Sequence, residues 1–325
     1  MTFEVQQNKD SIKKRVCIII VNYNHQKYLP TCLGTLSSSI SASDTVIIID
    51  NNSENKESLN KIVKQYSNFH WIFNKENRGY TGANHQGSHW ALKNGYQYLL
   101  ILNPDTELFP NTIPILVSAS KKCNDQWILG PLLIQSGTSE NPIVDSAGLD
   151  IDKYYRAIDK YRGKKLSQID NTKDIMVVNG LCGAAMFIPT TLFPLRSESG
   201  TTIFCETYFA YFEDVEFSIY WRKKGGQFGV VTKAWINHHR GDQSQLKKIT
   251  YKKWKTNPFI IEKMFINRYL TIIRHETLKS CLKDYPAFLF YEIVRGAYII
   301  LCKPYLFIYT IKGWKMLIDS LIKKK

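Results

Sequence analysis

The stretch VCIIIVNYN, residues 16–24, joins a continuous apolar run to a short polar turn. A run of this kind is typical of a strand that is buried on both faces of a sheet. Three later stretches repeat the pattern: TVIIIDNNS at residues 45–53, HWIFN at 70–74 and YLLILNPD at 98–105. We therefore predict four buried strands, at residues 16–21, 45–50, 70–74 and 98–103.

Helical patterns fill the gaps between these strands, at residues 28–38, 57–66 and 83–94. Strands that alternate with helices form parallel sheets through right-handed crossovers, so we predict an α/β fold with a doubly wound, mostly parallel sheet. In such sheets, ligands bind beyond the carboxyl ends of the strands. Four polar segments follow the strands and should meet there: residues 22–24, 50–53, 77–82 and 103–105.

The pattern becomes mixed after Asp105. We predict a further strand at residues 127–134, and a strand, a glycine-containing turn and another strand within residues 174–189. A helix should then end at the glycine pair of residues 225–226, followed by a strand at residues 230–237. The sequence contains no internal repeat and no low-complexity linker.

The composition narrows the class of protein. The chain has 325 residues, of which 44% are hydrophobic and 22% charged, which excludes a disordered, collagen-like or coiled-coil chain. Its seven cysteines are scattered and form no CxxC pair, which argues against a zinc ribbon or a disulfide framework and predicts a reducing compartment. We recognise neither a secretory leader nor a run of about 18 apolar residues, so we predict a cytoplasmic protein without a membrane span.

The basic charge is concentrated at one end of the chain. The formal net charge is +15, and residues 240–325 contribute +12, with 18 Lys and Arg against 6 Asp and Glu. From residue 285 onward, charges interrupt long apolar and aromatic runs, and Pro304 should divide the segment into two helices. Such helices suit the interface of an anionic membrane; the alternative is a helical cap that packs on the preceding domain. Nucleic-acid binding fits less well, because the segment is too aliphatic.

Two of the polar segments have residues that suit a nucleotide. Asp50 ends a strand, and its carboxylate could accept hydrogen bonds from a base or a ribose; alternatively it could cap the next helix or close a turn. The segment NRGYTG, residues 77–82, could present backbone N–H groups to a phosphate, or could be an ordinary turn. The sequence has no GxGxxG motif after the first strand and no P-loop motif.

Three further motifs carry candidates for acid–base or metal chemistry. The NPD motif places Asp105 at the sheet edge, where Mg²⁺ or Mn²⁺ could bind together with phosphate oxygens; alternatively it is a type I turn. The FEDVE motif, which begins at Phe212, brings three carboxylates together, and this can raise one pKa and produce a general base. Its alternative is an acidic helix start. The HHRGDQS motif offers His238 or His239 as a partner of Asp105 in a metal site.

In this order, the motifs VNYN, DNNS, NRGYTGANHQG, LNPD, GAAMFIP, FEDVEFSIYWRKKGG and HHRGDQS resemble those of the family 2 glycosyltransferases of GT-A fold. Within that family the sequence is most similar to the bacterial rhamnosyltransferase-like enzymes that build cell-surface polysaccharide such as O-antigen or capsule. The resemblance covers residues 14–245, which would form the catalytic domain. It leaves residues 246–325 as a basic, aromatic-rich helical extension that could associate with a membrane.

The resemblance implies roles for individual residues. The implied nucleotide-sugar-binding residues are Val21, Asn22, Asn24, Asp50, Asn52, Arg78, Gly79, Gly82, Asn84 and Asn103. The implied catalytic residues are Asp214, as the base, and Glu213. The implied metal ligands are Asp105, His239 and, in the alternative register, His238. The sequence departs from the family's DxD-type metal motif, since Asn103 stands where the first Asp is expected.

The resemblance also implies a reaction. Asp214 would take a proton from an acceptor hydroxyl, which would attack the anomeric carbon of dTDP-rhamnose or a UDP-sugar with inversion, while Mg²⁺ or Mn²⁺ stabilises the departing diphosphate. A glycan or a polyprenyl-diphosphate-linked acceptor would place the enzyme peripherally at the inner face of the cell membrane. The alternatives are a sugar nucleotidyltransferase and a non-catalytic nucleotide-sugar- or carbohydrate-binding protein; no nucleic-acid partner is expected.

Overall fold

The computed structural model of the protein describes residues 14–138, 140–170, 172–193, 202–240, 258–275, 278–302 and 304–323. The strands in these residues are β1 (Val16–Asn22), β2 (Thr45–Asp50), β3 (His70–Phe73), β4 (Tyr98–Leu102), β5 (Thr106–Leu108), β6 (Trp127–Gln135), β7 (Val144–Ser146), β8 (Leu149–Ile151), β9 (Ala157–Asp159), β10 (Ile175–Val178), β11 (Ala185–Pro189) and β12 (Gln227–His238). The α-helices are α1 (Leu29–Ser37), α2 (Lys56–Gln65), α3 (Gly79–Lys93), α4 (Thr112–Lys122), α5 (Glu213–Lys223), α6 (Pro258–His275), α7 (Leu278–Cys302) and α8 (Phe307–Lys323).

The four strands predicted at the start of the chain are confirmed, and they lie side by side. β1 pairs in parallel with both β2 and β4, and β2 pairs in parallel with β3. The path through the main sheet is β10-β12-β6-β11-β4-β1-β2-β3, with β5 paired to β12 and β7 to β6. Four of the seven neighbouring pairs on this path are parallel, and β11 runs antiparallel between β4 and β6. The predicted mostly parallel α/β fold is confirmed, with its antiparallel pairs in the second half.

Alternate side chains of β1 enter two separate hydrophobic cores. Ile18 belongs to the core that includes Leu33 of α1, whereas Ile19 belongs to the core that includes Ala83 of α3. All seven residues of β1 are buried, which explains why its apolar run is continuous rather than alternating. On the α3 side the packing is close enough that a Cβ on Gly87 would lie 2.6 Å from Ile19 Cγ2.

The pairing of the strands brings their polar ends to one edge of the sheet. Asn22 at the end of β1 is in register with Asp50 at the end of β2. Asn103 follows β4, the other parallel neighbour of β1. From the second half of the sheet, His238 at the end of β12 is in register with Thr106 of β5. The segments predicted to converge therefore share one rim.

An irregularity in β12 changes which face of the sheet its residues occupy. The register jumps from Val231 to Trp235 while the parallel partner β6 advances by one residue. Before the jump, Phe228 belongs to the core beneath α3; after it, Ile236 belongs to the core beneath α1. Three residues are inserted, and because side chains alternate with period 2, an odd insertion reverses the faces before the strand reaches His238.

The predicted C-terminal helical extension is present, and α6 packs directly on the sheet domain. Tyr269 and Ile272 of α6 share a small core with Val215 and Ile219 of α5. The chain changes helix at Pro304, as predicted, between α7 and α8. The predicted domain boundary between residues 245 and 246 lies outside the described residues. Among the helices of the described ranges, none combines the length and apolar character needed to cross a bilayer.

Candidate active site

A network of short hydrogen bonds joins the ends of β1 and β2. The Asn22 side-chain amide donates to Asp50 Oδ1 at 2.9 Å and to Ser53 Oγ at 3.1 Å. The Ser53 hydroxyl and backbone N–H donate to the Asp50 carboxylate at 2.5 and 3.1 Å. Asp50 is fully buried, so its carboxylate fixes the shape of this turn. The exposed side chains at the turn include those of Tyr23, Asn24 and Asn52.

Asn51 holds the NRG segment at the start of α3. Its Oδ1 accepts from the Arg78 N–H at 3.0 Å, and its Nδ2 donates to Asn77 Oδ1 at 2.7 Å and to the Gly79 carbonyl at 3.0 Å. Gly79 has a φ of +72°, and a Cβ there would lie 2.5 Å from the Phe209 carbonyl oxygen, so only glycine fits. The N-terminal end of α3 carries a positive partial charge and no acidic residue in its first turn, which suits a phosphate group.

Two buried oxygens after β4 have no hydrogen-bond partner: Oδ1 of Asn103 and Oδ1 of Asp105. Amide and carboxylate oxygens are the ligands that hard divalent cations prefer. Within the part of the chain that the structure describes, no group of three or more His, Cys, Asp or Glu could hold a metal ion. The two oxygens therefore fit a cation whose coordination is completed by substrate and water oxygens, as is usual for Mg²⁺.

Of the two histidines in the HHRGDQS motif, His238 is the one whose side chain approaches Asp105. Its Nε2 lies 3.6 Å from Asp105 Oδ1, and its Nδ1 lies 2.9 Å from Asp145 Oδ2. The family resemblance favoured His239 instead. The Nε2 atom of His239 lies 2.6 Å from Glu107 Oε1, and only its backbone N–H reaches Asp105, by donating a hydrogen bond to the Asp105 carbonyl oxygen. Neighbouring residues of a strand point to opposite faces, so only one of the two imidazoles faces the Asp105 carboxylate.

Asp105 and Asp145 hold His238 in its protonated form. Burial alone would lower the pKa of His238, but the two carboxylates that face its imidazole outweigh the effect of burial and raise the pKa to about 9. Arg240 donates from Nε to both oxygens of Asp145 at 2.8 Å. An imidazolium cannot ligate a cation. The oxygens of Asn103 and Asp105 are therefore the first ligand candidates, and His238 could join them only after losing its proton.

Glu213 and Asp214 open α5, and the structure gives the two carboxylates different surroundings. Asp214 accepts hydrogen bonds from the backbone N–H groups of Gly183 and Val215, both at 2.8 Å. Burial and the charge of Asp214 raise the pKa of Glu213 to about 8, and Oε2 of Glu213 has no partner. Burial also raises the pKa of Asp214, while the two N–H donors act against that rise. The two N–H donors favour the ionised form of Asp214, whereas Oε2 of Glu213 has no such donor.

A short turn connects Asp214 to the NPD segment. The carbonyl of Ala184 accepts from the Asn103 N–H at 2.9 Å, while the N–H of the preceding Gly183 donates to Asp214. The hydroxyl of Tyr80, in the first turn of α3, donates to the Gly183 carbonyl at 2.7 Å. The start of α3, the NPD segment and the α5 carboxylates therefore line one rim, with residues 183–184 between them.

The comparisons with known proteins agree with this geometry. Residues 17–186, more than half of the chain, match the sequence model described as Glycosyl transferase family 2. The chain belongs to glycosyl transferase family 2. The comparison with curated proteins found no match for this family 2 glycosyltransferase.

Two solved structures share its fold at low sequence identity. The structure described as GalNAc-T7 with UDP, GalNAc and Mn²⁺ is 15% identical, with a TM-score of 0.55 over 81% of this chain and 52% of that chain. The structure of TarS from S. aureus is 14% identical, with a TM-score of 0.51 over 88% of this chain and 43% of that chain. The family 2 glycosyltransferase described here thus spans about half the length of these structures, and the predicted GT-A fold is confirmed.

Several residues of the rim lie outside the family match or escaped the sequence interpretation. The match ends at residue 186, before Asp214 and His238, so the fold itself brings these two to the matched segments. The role of Asn51 in holding the NRG segment was not predicted. Its position directly after a strand, between two polar residues, could have indicated such a role. Asp145 belongs to no recognisable motif, and only its contacts with His238 and Arg240 in the folded chain reveal it.

Proposed function

We propose that this family 2 glycosyltransferase transfers a sugar from a nucleoside diphosphate donor to an acceptor hydroxyl group, with inversion at the anomeric carbon. One observation carries the proposal: Asp214 and the two oxygens of Asn103 and Asp105 that accept no hydrogen bond line the same rim as the N-terminal end of α3. The reaction needs a base, a cation and a diphosphate site as neighbours, and this rim offers a candidate for each.

The donor nucleotide would lie along the ends of β1 and β2 and the start of α3. Base and ribose would contact the turn of Val21, Asn22, Asn24, Asp50 and Asn52; the diphosphate and sugar would contact Arg78, Gly79, Gly82, Asn84 and Asn103. Arg78 is exposed, so its guanidinium is free to turn toward a diphosphate. The Oδ1 atom of Asn84 is buried without a partner and could accept a hydrogen bond from the sugar.

A divalent cation, Mg²⁺ or Mn²⁺, would be held by Asp105 and Asn103, and it would offset the negative charge of the departing diphosphate. His238 would keep the Asp105 carboxylate oriented, while His239 would stay hydrogen-bonded to Glu107. The test is a thermal-shift titration of Mn²⁺ in the presence of UDP. Asp105→Ala should abolish the metal-dependent shift and Asn103→Asp should preserve it; an unchanged shift in Asp105→Ala would refute this site.

Asp214 would act as the general base. It would accept the proton of the acceptor hydroxyl as that oxygen forms a bond to the anomeric carbon, on the face opposite the leaving group. The bond between the anomeric carbon and the phosphate oxygen breaks, and its electron pair leaves with the nucleoside diphosphate. Glu213 keeps its own proton and so does not compete for the one that is transferred. Base assistance of this kind accelerates reactions by roughly 10²–10⁴-fold.

The donor and the product are narrower proposals. The similarity to rhamnosyltransferase-like enzymes favours dTDP-rhamnose and a role in O-antigen or capsule synthesis. The GalNAc-T7 structure contains UDP and Mn²⁺, which makes UDP-sugars with Mn²⁺ the second set to test. The family match favours glycosyl transfer over nucleotidyl transfer, and the paired carboxylates favour an enzyme over a protein that only binds sugars.

A release assay with purified protein separates these functions. The protein is incubated with dTDP-rhamnose or UDP-sugars, Mg²⁺ or Mn²⁺, and a lipid-linked or soluble glycan acceptor. Release of nucleoside diphosphate that rises with acceptor supports the proposal. Release of pyrophosphate from a sugar 1-phosphate and a nucleoside triphosphate would establish a nucleotidyltransferase, and donor binding without turnover a binding protein.

The partner on the acceptor side would be an anionic membrane surface that presents polyprenyl-diphosphate-linked glycans at the cytoplasmic face. The support comes from the outer face of α7, which is apolar throughout its described side chains. The exposed residues there are Pro286, Ala287, Leu289, Phe290, Ile293, Val294, Ala297, Tyr298, Ile300, Leu301 and Cys302. This face is about 25 Å long at 1.5 Å per residue. The net charge of +12 on residues 240–325 complements an anionic surface.

Co-sedimentation with vesicles rich in phosphatidylglycerol tests this partner. Binding should fade in high salt, and the triple variant Phe290→Ser, Ile293→Ser, Leu301→Ser should lose it. The matched control is Ile158→Ser with Val177→Ser, because both residues are more than half exposed and belong to the sheet domain. If the wild-type protein is instead a dimer that the triple variant converts to a monomer without a change in vesicle binding, the face contacts a second copy and the membrane proposal fails.

A further inference from the structure

The loop that leads into α5 is strained. Phe209, Tyr211 and Phe212 have φ angles of 63°, 67° and 71°, in the left-handed region that bulky residues rarely adopt. Conformations of this kind persist only where the surrounding contacts enforce them. Because Glu213 and Asp214 follow directly, the contacts that hold this loop also set the position of the proposed base.

Asn267 of α6 supplies such contacts from one side. Its side chain is buried, and its Nδ2 lies 3.1 Å from the carbonyl oxygen of Tyr208, 3.0 Å from that of Ala210 and 2.6 Å from that of Tyr211. An amide has two N–H groups, so the three carbonyl oxygens share them. One turn further along α6, Thr271 Oγ1 lies 2.8 Å from the Tyr208 hydroxyl. Two neighbouring turns of α6 therefore make hydrogen bonds to the loop.

The start of α3 supports the loop from the other side. The backbone N–H of Thr81 donates to the Phe209 carbonyl at 3.1 Å, and the Thr81 hydroxyl donates to the Glu206 carbonyl at 3.3 Å. The same Phe209 carbonyl is the atom that leaves no room for a Cβ at Gly79. The loop is thus fixed between the C-terminal helices and the helix end that would face the donor diphosphate.

We propose that Asn267 is a positioning residue for the glycosyl transfer. It acts through the backbone of residues 208–212, which it holds in the conformation that presents Asp214 at the rim. The C-terminal helices thereby take part in turnover itself, in addition to any contact with a membrane. The catalytic side of this inference rests on the proposed function, whereas its structural side can be measured independently.

Two variants and one control test the proposal kinetically. Asn267→Ala removes both donors, and Asn267→Asp keeps the size of the side chain but opposes carboxylate oxygens to the loop carbonyls. Tyr269→Phe is the matched control, because it also deletes a buried hydrogen bond of α6, at 2.7 Å to Glu292, away from the loop. Misplacement of a catalytic group by about 1 Å can cost about 100-fold in rate. We expect the Asn267 variants to lower kcat at least about tenfold more than Tyr269→Phe at an equal loss of melting temperature, with a smaller change in donor affinity.

Amide hydrogen exchange provides a readout that needs no activity. In Asn267→Ala, exchange should accelerate at Thr81 and Glu216, whose N–H groups donate to carbonyls of the strained loop at 3.1 and 3.0 Å, and in Tyr269→Phe it should not. If the wild-type protein transfers no sugar, the proposed function fails while exchange still shows whether Asn267 holds the loop. Unchanged exchange at both amides, or equal kcat losses in Asn267→Ala and Tyr269→Phe, would overturn the inference.

Discussion

Strand β1 and helix α7 distribute their side chains in opposite ways. Every residue of β1 is buried, and the polar groups of the sheet gather beyond its carboxyl end. In α7 the charged Glu292 is 3% exposed, whereas Phe290 and Leu301 are 69% and 82% exposed. The hydrophobic effect acts on both elements, and this contrast is the reason for our proposal that the outer face of α7 meets a second apolar environment.

The buried charge in α7 joins the three C-terminal helices. Glu292 Oε1 lies 2.8 Å from Arg268 Nη1 of α6, and Glu292 Oε2 accepts hydrogen bonds from Tyr269 at 2.7 Å and from Trp314 of α8 at 3.2 Å. The sheet domain is held together by apolar contacts and presents polar groups, while this module is held together in part by polar contacts and presents apolar ones. We therefore expect the C-terminal helices to be destabilised by the loss of a buried polar group, and the sheet domain by the loss of a buried apolar group.

The largest expected effect concerns the polar end of the sheet. Asp214→Asn removes the proposed proton acceptor while keeping the size of the side chain, so we expect kcat to fall by roughly 10²–10⁴-fold with the dissociation constant of the donor nearly unchanged. Steady-state kinetics and calorimetric donor titration measure the two quantities. Asp152→Asn, at a partly exposed carboxylate on a surface turn, is the control. A joint loss of turnover and donor binding would contradict the assignment of Asp214 as a base.

The second prediction concerns the buried charge on the inner face of α7. Glu292→Ala leaves the Arg268 charge buried without its main partner, and losses of this kind cost about 3–5 kcal/mol. Ile19→Ala in β1 should cost a comparable amount, about 2–5 kcal/mol, through loss of apolar burial. Urea denaturation of both variants measures the free energies of unfolding. A Glu292→Ala protein as stable as the wild type would show that the carboxylate does not hold the helices.

A pH-dependent effect comes from the carboxylate pair at the rim. The pKa of Glu213 rises from about 4.5 to about 8 on folding, because the side chain is buried beside Asp214. Between these two values the folded protein holds a proton that the unfolded chain has lost, so this group's contribution to stability falls as the pH rises from about 4.5 to about 8. Glu213→Gln cannot lose that proton. Its melting temperature should therefore gain on that of the wild type across this range and stop gaining above it; parallel melting profiles would contradict the raised pKa.

The smallest expected effect is on the outside of α7. Ile293 is 57% exposed, so Ile293→Ser should change the free energy of unfolding by no more than about 0.5 kcal/mol. The same variant should lower vesicle binding measurably, because it removes apolar surface from the face that would enter the lipid. Chemical denaturation and vesicle co-sedimentation are run on one preparation. A strong loss of stability would show that this face packs within the protein.

The sequence predicts the fold best where one environment covers a whole element. The continuous apolar run of β1 and the break at Pro304 were both readable, because burial on both faces and the loss of a backbone donor leave direct marks. The helical extension was predicted as a whole, but the bounds of α6 within it were not. The buried face of α6 includes the polar residues Asn267, Arg268 and Thr271, which interrupt the apolar period of a helix. Strands of three residues, such as β8 and β9, are too short to show a period.

The site was predictable as a rim but not in its details. Asp105 and Asp214 each belong to a recognisable motif. Ligands bind at the carboxyl ends of parallel strands, and this rule predicts that Asp105 lies at that edge of the sheet. The roles of Asn51 and Gly183 depend on backbone contacts across the chain, which leave no pattern in the sequence. The choice between two adjacent histidines depends on the register of β12 against β6.

Because of that register, the length of the segment between Val231 and Trp235 matters as much to the site as the identity of the residues that follow it. The three residues inserted between Val231 and Trp235 determine which imidazole stands beside Asp105. A deletion that shifted the strand beyond this point by one residue would turn the His238 side chain to the opposite face and place His239 opposite Gln135 of β6. Related sequences that keep the pair of Asp105 and His238 should therefore also keep the length of this segment, which a search of such sequences can check.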